Sequence, residues 1–317
     1  MKEITVNKND SGQRLDRFLS KSLSHLPPSL LARLIRKKHF RVNGRHVPAD
    51  FRLSEGDRLS MYLTDEQLSK PPESEEWRLV KPDVAVAYED AHVLIADKPA
   101  GLLCHSDNSG SPDTLINRIR CLLASRGEWD PAAENSFAPA LANRIDRNTC
   151  GLVIAAKSAE ALRGLNKLIK ERKIGKFYLC TVNGRPGFSE KTLTGWLEKD
   201  EKTNTVAVCR SPGPNRLTAV TKVRVLSSDG KHSVLECELL TGRTHQIRAQ
   251  LSDAGYPICG DTKYGRSSDG RRGQDLCSYK LVFPGLSGAL SGISGKTVYS
   301  LFAAKFDTRT KSEDKRV

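Results

Sequence analysis

The chain has 317 residues, more than one compact domain usually takes, so two domains with separate cores are expected. Its 51 Lys and Arg against 37 Asp and Glu leave a net charge of +14, which points to a polyanionic partner, nucleic acid first among them. The eight cysteines lie 17 to 30 residues apart with no Cys-x-x-Cys pair, which argues against a zinc site and reads as buried thiols in a reducing cytosol. Met1 to Asp10 is too polar for a signal peptide, and no stretch approaches the roughly 20 apolar residues needed to span a bilayer. A soluble, cytoplasmic protein is expected.

The first element read from the sequence is a basic module. Between Ser11 and Ser60 stand eleven basic and four acidic residues, so +7 of the +14 falls in this stretch. Pro27-Pro28-Ser29 opens a predicted helix whose Leu30, Leu31, Leu34 and Ile35 recur at helical spacing, while Arg33, Arg36, Lys37 and Lys38 fall largely elsewhere on its surface. Phe40 to Val47, with Arg41 and Arg45, alternates around Asn43-Gly44 and predicts a hairpin. A charge run by itself usually serves solubility. Here it accompanies two small helices and a hairpin. The combination, with turns at Val42-Asn43-Gly44 and Glu55-Gly56-Asp57, resembles the RNA-binding domain first known from ribosomal protein S-four, over roughly residues 11–63. The resemblance implies that Arg33, Arg36, Lys37, Lys38, Arg41 and Arg45 contact RNA.

Thr64 to Glu76 carries five acids against Lys70 and has Pro71-Pro72 at its middle, the composition of an extended spacer rather than a packed element. The expected organisation is a first domain over 1–63, a linker over 64–82, a larger domain over 83–310 and a charged tail over 311–317.

In the larger domain, Val84–Tyr88 and His92–Asp97 predict paired strands. Gly151–Ala156 predicts a strand, Ser158 the cap of a helix with Leu162, Leu165, Leu168 and Ile169 on one stripe, and Lys176–Val182 another strand. His232–Leu240 predicts a further strand, followed by a helix capped by Thr244, holding Ile247 and Leu251 and ending near Gly255. Helices interleaved with long strand-only stretches give an α+β fold with a mixed, largely antiparallel central sheet and flanking helices, behind a small α+β first domain.

Four segments hold candidate chemistry. Asp97-Lys98-Pro99-Ala100-Gly101-Leu102 is a rigid turn and, alone, little else. In Asn143-Arg144-Ile145-Asp146-Arg147-Asn148-Thr149-Cys150-Gly151-Leu152, a single carboxylate is bracketed by Arg144 and Arg147. Such bracketing suits a nucleophile or base, although a loop salt bridge is the commoner meaning of that pattern. Lys176-Phe177-Tyr178 places a Tyr in a strand, where packing is its usual role. Thr241-Gly242-Arg243-Thr244-His245-Gln246-Ile247-Arg248, continuing through Gly255-Tyr256-Pro257-Ile258-Cys259-Gly260-Asp261 to Tyr264-Gly265, puts Arg243 and Arg248 at a helix start. They could hold an anion there or pair with surface acids.

Taken in this order and with these separations, the four segments resemble the RluA family of pseudouridine synthases over nearly all of residues 83–306. The resemblance implies a pseudouridine synthase fold, no cofactor and no metal. It makes Asp146 the essential aspartate, Arg144 the side chain that enters the RNA stack, and Tyr178 the ring that stacks on the flipped uracil. Arg248 becomes the partner of Asp146 and Ile247 an apolar wall beside it. Asn143 stands where many members have His, and Cys150 where many have Ser, which bears on the branch and the RNA target rather than on the reaction. The front module resembles the branch acting on large-subunit ribosomal RNA, with transfer RNA second, and a monomer is expected. Whether Asp146 attacks the sugar, attacks the uracil or removes a ribose proton is open at this level.

Two other classes compete. A non-catalytic RNA-binding or ribosome-assembly protein could keep the fold and lose the chemistry. A nucleotide hydrolase is suggested by Ser294-Gly295-Lys296-Thr297, but Leu290 occupies the place of the first Gly of a phosphate loop. No Gly-x-Ser-x-Gly turn or helical His pair is present. His105 and His245 are read as structural or RNA-facing.

Overall fold

A computed structural model describes residues 1–69, 75–107, 110–265 and 273–306. Pro71-Pro72 at the middle of the predicted spacer, the end of the larger domain beyond Phe306, and the charged tail over 311–317 lie outside the described residues.

The front module comprises β1 (Lys2–Thr5), α1 (Leu15–Ser22), α2 (Pro28–Arg36), β2 (Phe40–Val42) and β3 (Arg58–Met61). Pro28 begins α2 because its fixed φ suits the first turn and its missing N–H has no partner to lose there. The three strands form an antiparallel sheet in the order β1-β3-β2, with Ile4 opposite Leu59 and Phe40 opposite Met61. Leu15, Phe18, Leu19, Leu31, Leu34 and Leu59 close a core that belongs to this module alone.

The predicted hairpin is corrected. Asn43 and Gly44 do turn the chain in the left-handed region, at φ +50° and +75°, and Val42 and Arg45 bond across them. The second arm ends at that pair, however, because Pro48 offers no N–H and Asn43 bonds to Arg58 instead, so β2 lies on β3. The spacer is also folded at both described ends. Thr64 caps a turn of helix, α3 (Asp65–Leu68), in a reciprocal box with Gln67, and a 3₁₀ turn at Glu76–Leu79 brings Trp77 edge-on to Trp129 with ring centroids 5.3 Å apart. A buried aromatic contact and a satisfied cap outweigh the extended preference that acid and proline content suggests.

The larger unit contains β4 (Val86–Glu89), β5 (Val93–Lys98), α4 (Leu115–Ser125), β6 (Ala140–Leu141), β7 (Cys150–Ala156), α5 (Ala159–Lys170) and β8 (Gly175–Asn183). It continues through β9 (Glu190–Asp200), β10 (Thr205–Cys209), β11 (Arg216–Ser228), β12 (His232–Leu239), α6 (Gln246–Asp253), β13 (Leu276–Val282) and β14 (Thr297–Tyr299). The strands make one mixed sheet, ordered β10-β9-β11-β12-β8-β13-β7-β5-β4, with β14 on β13 and β6 on β7. Only the β7–β13 pairing is parallel among those described.

Alternation along the strands assigns the two faces. Leu94, Ala96, Val153, Ala155, Tyr178 and Cys180 point to one side, under α4 and α6; Val93, Ile95, Leu152 and Ile154 point to the other, against Leu165 and Leu168 of α5. Where β7 meets β13, a side chain at Gly151 would put its Cβ 2.2 Å from the Ser278 carbonyl oxygen, so glycine is required for the strands to touch just after the Asp146 loop. Six of the eight cysteines are buried, whereas Cys121 and Cys209 are half-buried.

Polar side chains join the two units. Asp10, fully buried, accepts from Ser136 Oγ at 2.6 Å and Asn135 Nδ2 at 2.8 Å. Asn9 Nδ2 donates to Glu134 at 2.6 Å, while Asn9 Oδ1 accepts from the Ala159 N–H at 3.0 Å, the first residue of α5. Ser22 Oγ donates to the Asn135 carbonyl at 2.9 Å.

Candidate active site

The carboxylate of Asp146 stands at the mouth of a cavity of about 280 Å³ near the middle of the sheet, on the α6 side. Three supports hold its loop. Lys98, the last residue of β5, is fully buried and donates from Nζ to the carbonyls of Pro99 at 2.9 Å, Leu102 at 2.7 Å and Arg147 at 2.9 Å. The Gly101 N–H donates to the same Arg147 carbonyl. Burial pulls the Lys98 ammonium down to about 8, and its three carbonyl acceptors use all three of its protons. Thr149, just ahead of β7, is anchored from Gln274 Nε2 at 2.7 Å.

The charge partner of Asp146 comes from α6. Arg248 Nη1 donates to Asp146 Oδ2 at 2.8 Å, and its Nε and Nη2 fork onto Asp261 at 2.7 and 2.9 Å. Asp261 has no exposed side-chain surface. Burial opposes its charge, but the Arg248 fork and the N–H groups of Lys263 and Tyr264 more than offset that and hold its carboxyl below the ordinary range. The bracketing arginines play no such part. Arg147 is exposed and turns its Nε to the Gly101 carbonyl, and among the described residues Arg144 makes no hydrogen bond or ion pair. Neighbours in a chain running toward a strand point apart, whereas α6 projects Arg248 across the pocket.

The turn into α6 also departs from expectation. Thr244 does not cap the helix. His245 occupies that place in the left-handed conformation, at φ +52°, a strained backbone for a non-glycine residue. Gln246, buried one step on, accepts from Thr241 Oγ1 and the Arg243 N–H and donates to Val220 and Thr221, so every polar atom of its amide is used in fixing the turn.

The conformation of His245 brings its Nδ1 to Tyr264 Oη at 2.9 Å. Tyr264 Oη accepts from the Val206 N–H at 2.7 Å and has one proton to give; in the tautomer where it donates that proton to Nδ1, the ring proton of His245 sits on Nε2. That atom faces Asp146 Oδ2 at 3.9 Å, beyond hydrogen-bond range. Burial lowers His245 below its ordinary value, in keeping with a neutral ring. The Tyr264 ring lies under the Arg248 guanidinium, 5.1 Å from centroid to Cζ.

Of the residues singled out from the sequence, Asp146, Tyr178, Arg248, Arg144, Ile247 and Arg243 all line this one cavity. Tyr178 and Ile247 are buried, and burial pushes the Tyr178 phenol well above its ordinary value, so it presents a neutral ring. Arg243 is half-buried and donates from Nε to the Thr218 carbonyl at 3.2 Å. The front-module residues stand apart from the cavity. Arg33, Arg36, Lys37, Lys38 and Arg45 are exposed, and Arg41 is half-buried with its guanidinium 5.2 Å from the Tyr62 ring centroid. Sequence reasoning gave no role to Lys98 or Asp261 and took His245 as structural or RNA-facing. Their signal lay in the quoted segments, but the groups they bond are set by the fold, Lys98 reaching Arg147 49 residues on, and Asp261 and His245 meeting Arg248 and Tyr264 at 13 and 19 residues.

The cavity suits a flat, neutral, polar ring. An apolar floor of Tyr178, Ile247 and Leu276 faces a single carboxylate fixed by a guanidinium, and the exposed Arg144 stands at the rim. It is at the small end of ligand pockets, whose volumes run roughly 300–1,000 Å³, and takes a base rather than a helix.

The chain is similar to known proteins over most of its length. Residues 92–253 match the family model described as RNA pseudouridylate synthase, and residues 13–59 match the S4 domain. The chain is 30% identical over 83% of its length to a ribosomal large subunit pseudouridine synthase C of Vibrio cholerae, covering 80% of that protein. It is 29% identical over 84% of its length to the Escherichia coli protein of the same description, again covering 80% of it. Among solved structures, human RNA pseudouridylate synthase domain containing 4 superposes with a TM-score of 0.54 at 19% identity, over 68% of this chain and 87% of that one, a likeness of fold.

Proposed function

The chain belongs to the RNA pseudouridylate synthase family, and on that premise we propose that it isomerises selected uridines of large-subunit ribosomal RNA with Asp146 as the indispensable group. The observation that carries the reading is the Asp146–Arg248 pair at 2.8 Å inside a base-sized cavity floored by Tyr178. Relatives described as acting on the large ribosomal subunit and the basic front module support the choice of RNA. We place its work in the cytoplasm and as a monomer, where ribosomal RNA as substrate would be met; among the described residues no helix is long and apolar enough to cross a membrane.

In the reaction the bond between ribose C1′ and uracil N1 breaks, the uracil turns, and its C5 bonds to C1′ while the C5 proton leaves to solvent and N1 takes one up. Atoms are conserved and no redox change occurs. The chain supplies a carboxylate to assist cleavage and a dry pocket to keep the detached base. Extruding a base from its stack costs a few kcal/mol, which stacking on Tyr178 and filling of the vacated place by Arg144 offset. Arg248 holds Asp146 by one oxygen only, leaving Oδ1 clear of it for the substrate.

The test is Asp146→Asn, with tritium release from RNA labelled at uridine C5 as the readout. The variant is expected to lose turnover while binding RNA within a few-fold of the parent; turnover near the parent rate overturns the assignment. Pseudouridine maps of RNA from cells with and without the protein identify the target. Sites missing from transfer RNA, with ribosomal RNA unchanged, would move the substrate to that class.

A further inference from the structure

Four lysines are buried or half-buried among the described residues: Lys98, Lys157, Lys176 and Lys280. Three have acceptors. Lys98 has its three carbonyls, Lys157 has Glu89 at 2.9 Å and Glu128 besides, and Lys280 has Glu236 at 3.3 Å. Lys176 has no hydrogen bond or ion pair among the described residues, although burial lowers its ammonium from the ordinary range. Its Nζ keeps access to solvent, since it is not among the buried polar atoms without a partner, so the half-buried ammonium is available to an anion that enters the cavity.

Lys176 precedes Tyr178 by two residues on β8, so strand alternation sends both to the same face, and both line the Asp146 cavity. Its Nζ packs beside the turn into α6, 3.3 Å from where a side chain at Gly242 would place its Cβ. Arg172 adds positive potential on that side, and Arg243 lines the cavity nearby. The cavity is therefore polarised. A carboxylate bound to a guanidinium marks one part, and an ammonium without a counter-charge marks another.

We propose that Lys176 is a phosphate-binding residue, which takes the backbone phosphate next to the flipped uridine and so fixes the depth to which the nucleotide enters. The proposal rests on reading the cavity as the uridine pocket. A nucleotide with its glycosidic bond at Asp146 and its base on Tyr178 brings a phosphate on either side of its ribose, and with Arg144 committed to the vacated stack, Lys176 is the unpartnered cation of the cavity left to meet one of them.

The experiment is a double substitution, one change on the protein and one on the RNA. The full chain carrying Asp146→Asn, with or without Lys176→Met, is titrated with a substrate RNA bearing either natural linkages or a neutral methylphosphonate 5′ or 3′ to the target uridine. Lys176→Met is expected to weaken binding of the natural RNA about ten-fold, the worth of one charge-assisted hydrogen bond. On the RNA whose contacted phosphate is neutral it is expected to have no further effect. A loss that persists undiminished on both modified RNAs overturns the proposal, as does unchanged binding of the natural RNA.

In the active enzyme, Lys176→Met is expected to raise KM with kcat within a few-fold, and Lys176→Arg to restore KM. A fall in kcat at unchanged KM would assign Lys176 to the chemistry instead and overturn the phosphate role. Failure of the parent chain to release tritium would count against the uridine reading itself, independently of the coupling measured in these titrations.

Discussion

Arg248 is gripped along two of its nitrogens by Asp261 and reaches Asp146 with only the third. The two carboxylates therefore have unequal duties. Asp261 is wholly inside the protein, and Asp146 retains partial access to the cavity. Asp261→Asn leaves the guanidinium buried with half its partner. Breaking a buried pair in this way costs about 3–5 kcal/mol. Urea unfolding is expected to show that loss, and tritium release to show a kcat reduced more than KM is raised. Unchanged kcat in a stably folded variant would mean that Arg248 does not need Asp261 to present itself.

The second prediction concerns Lys98, whose folded value of about 8 lies below the ordinary lysine value of 10.5. Below pH 8 the ammonium is charged in both folded and unfolded chains. Above it the folded chain releases this proton first, so unfolding takes one up and stability rises with pH until the ordinary value is passed. Denaturant titrations of the parent and of Lys98→Met across this window are expected to diverge by up to about 3 kcal/mol, the parent gaining as pH rises. Parallel curves would mean that the three carbonyls hold Lys98 near its ordinary value.

A third prediction separates affinity from chemistry. Replacing Arg33, Arg36 and Lys37 together by Ala removes three exposed charges, none of which lines the cavity. If each meets a phosphate, the slope of log affinity against log salt falls by roughly 2, and kcat at saturating RNA stays within two-fold of the parent. An unaltered slope would remove this surface from the RNA contact.

The fourth concerns the joint between the units. Asp10→Ala removes the acceptor of both Asn135 and Ser136. At about 1 kcal/mol net for each hydrogen bond, the docked arrangement weakens by roughly 2 kcal/mol. Solution X-ray scattering is expected to show a larger radius of gyration, with unfolding of the larger unit unaltered because the cores are separate. An identical scattering profile would show that the remaining contacts suffice.

Legibility in the sequence followed burial and range of contact. β7, α5 and β8 could be read directly because their apolar residues repeat at strand and helix spacing and are buried accordingly. β9 and β11 announce themselves poorly, since half of each faces water and carries Glu, Lys and Arg. Asn43-Gly44 signalled a turn but not the partner strand, which the later pairing with Arg58 decides. At the site, Asp146 and its neighbours were visible as a motif; local charge pointed to the bracketing arginines, whereas the family resemblance pointed to Arg248, 102 residues away, which is the residue bonded to Asp146. Lys98 holds a carbonyl 49 residues downstream, a relationship that only the folded sheet creates.

The joint between the two units is made of amides, hydroxyls and backbone groups facing Asp10 and Glu134, with no cation paired across it among these contacts. The charges that face each other across it, Asp10 with Glu134 and Lys21 with Arg163, are alike, so added salt does not weaken it, in contrast to the contacts that the exposed arginines and lysines offer to phosphate. Added salt should loosen the grip on RNA while leaving the molecule's own shape intact. The same protein can then let go of one transcript and meet the next with its basic face and its cavity still at a fixed separation, as a gauge keeps its span between measurements.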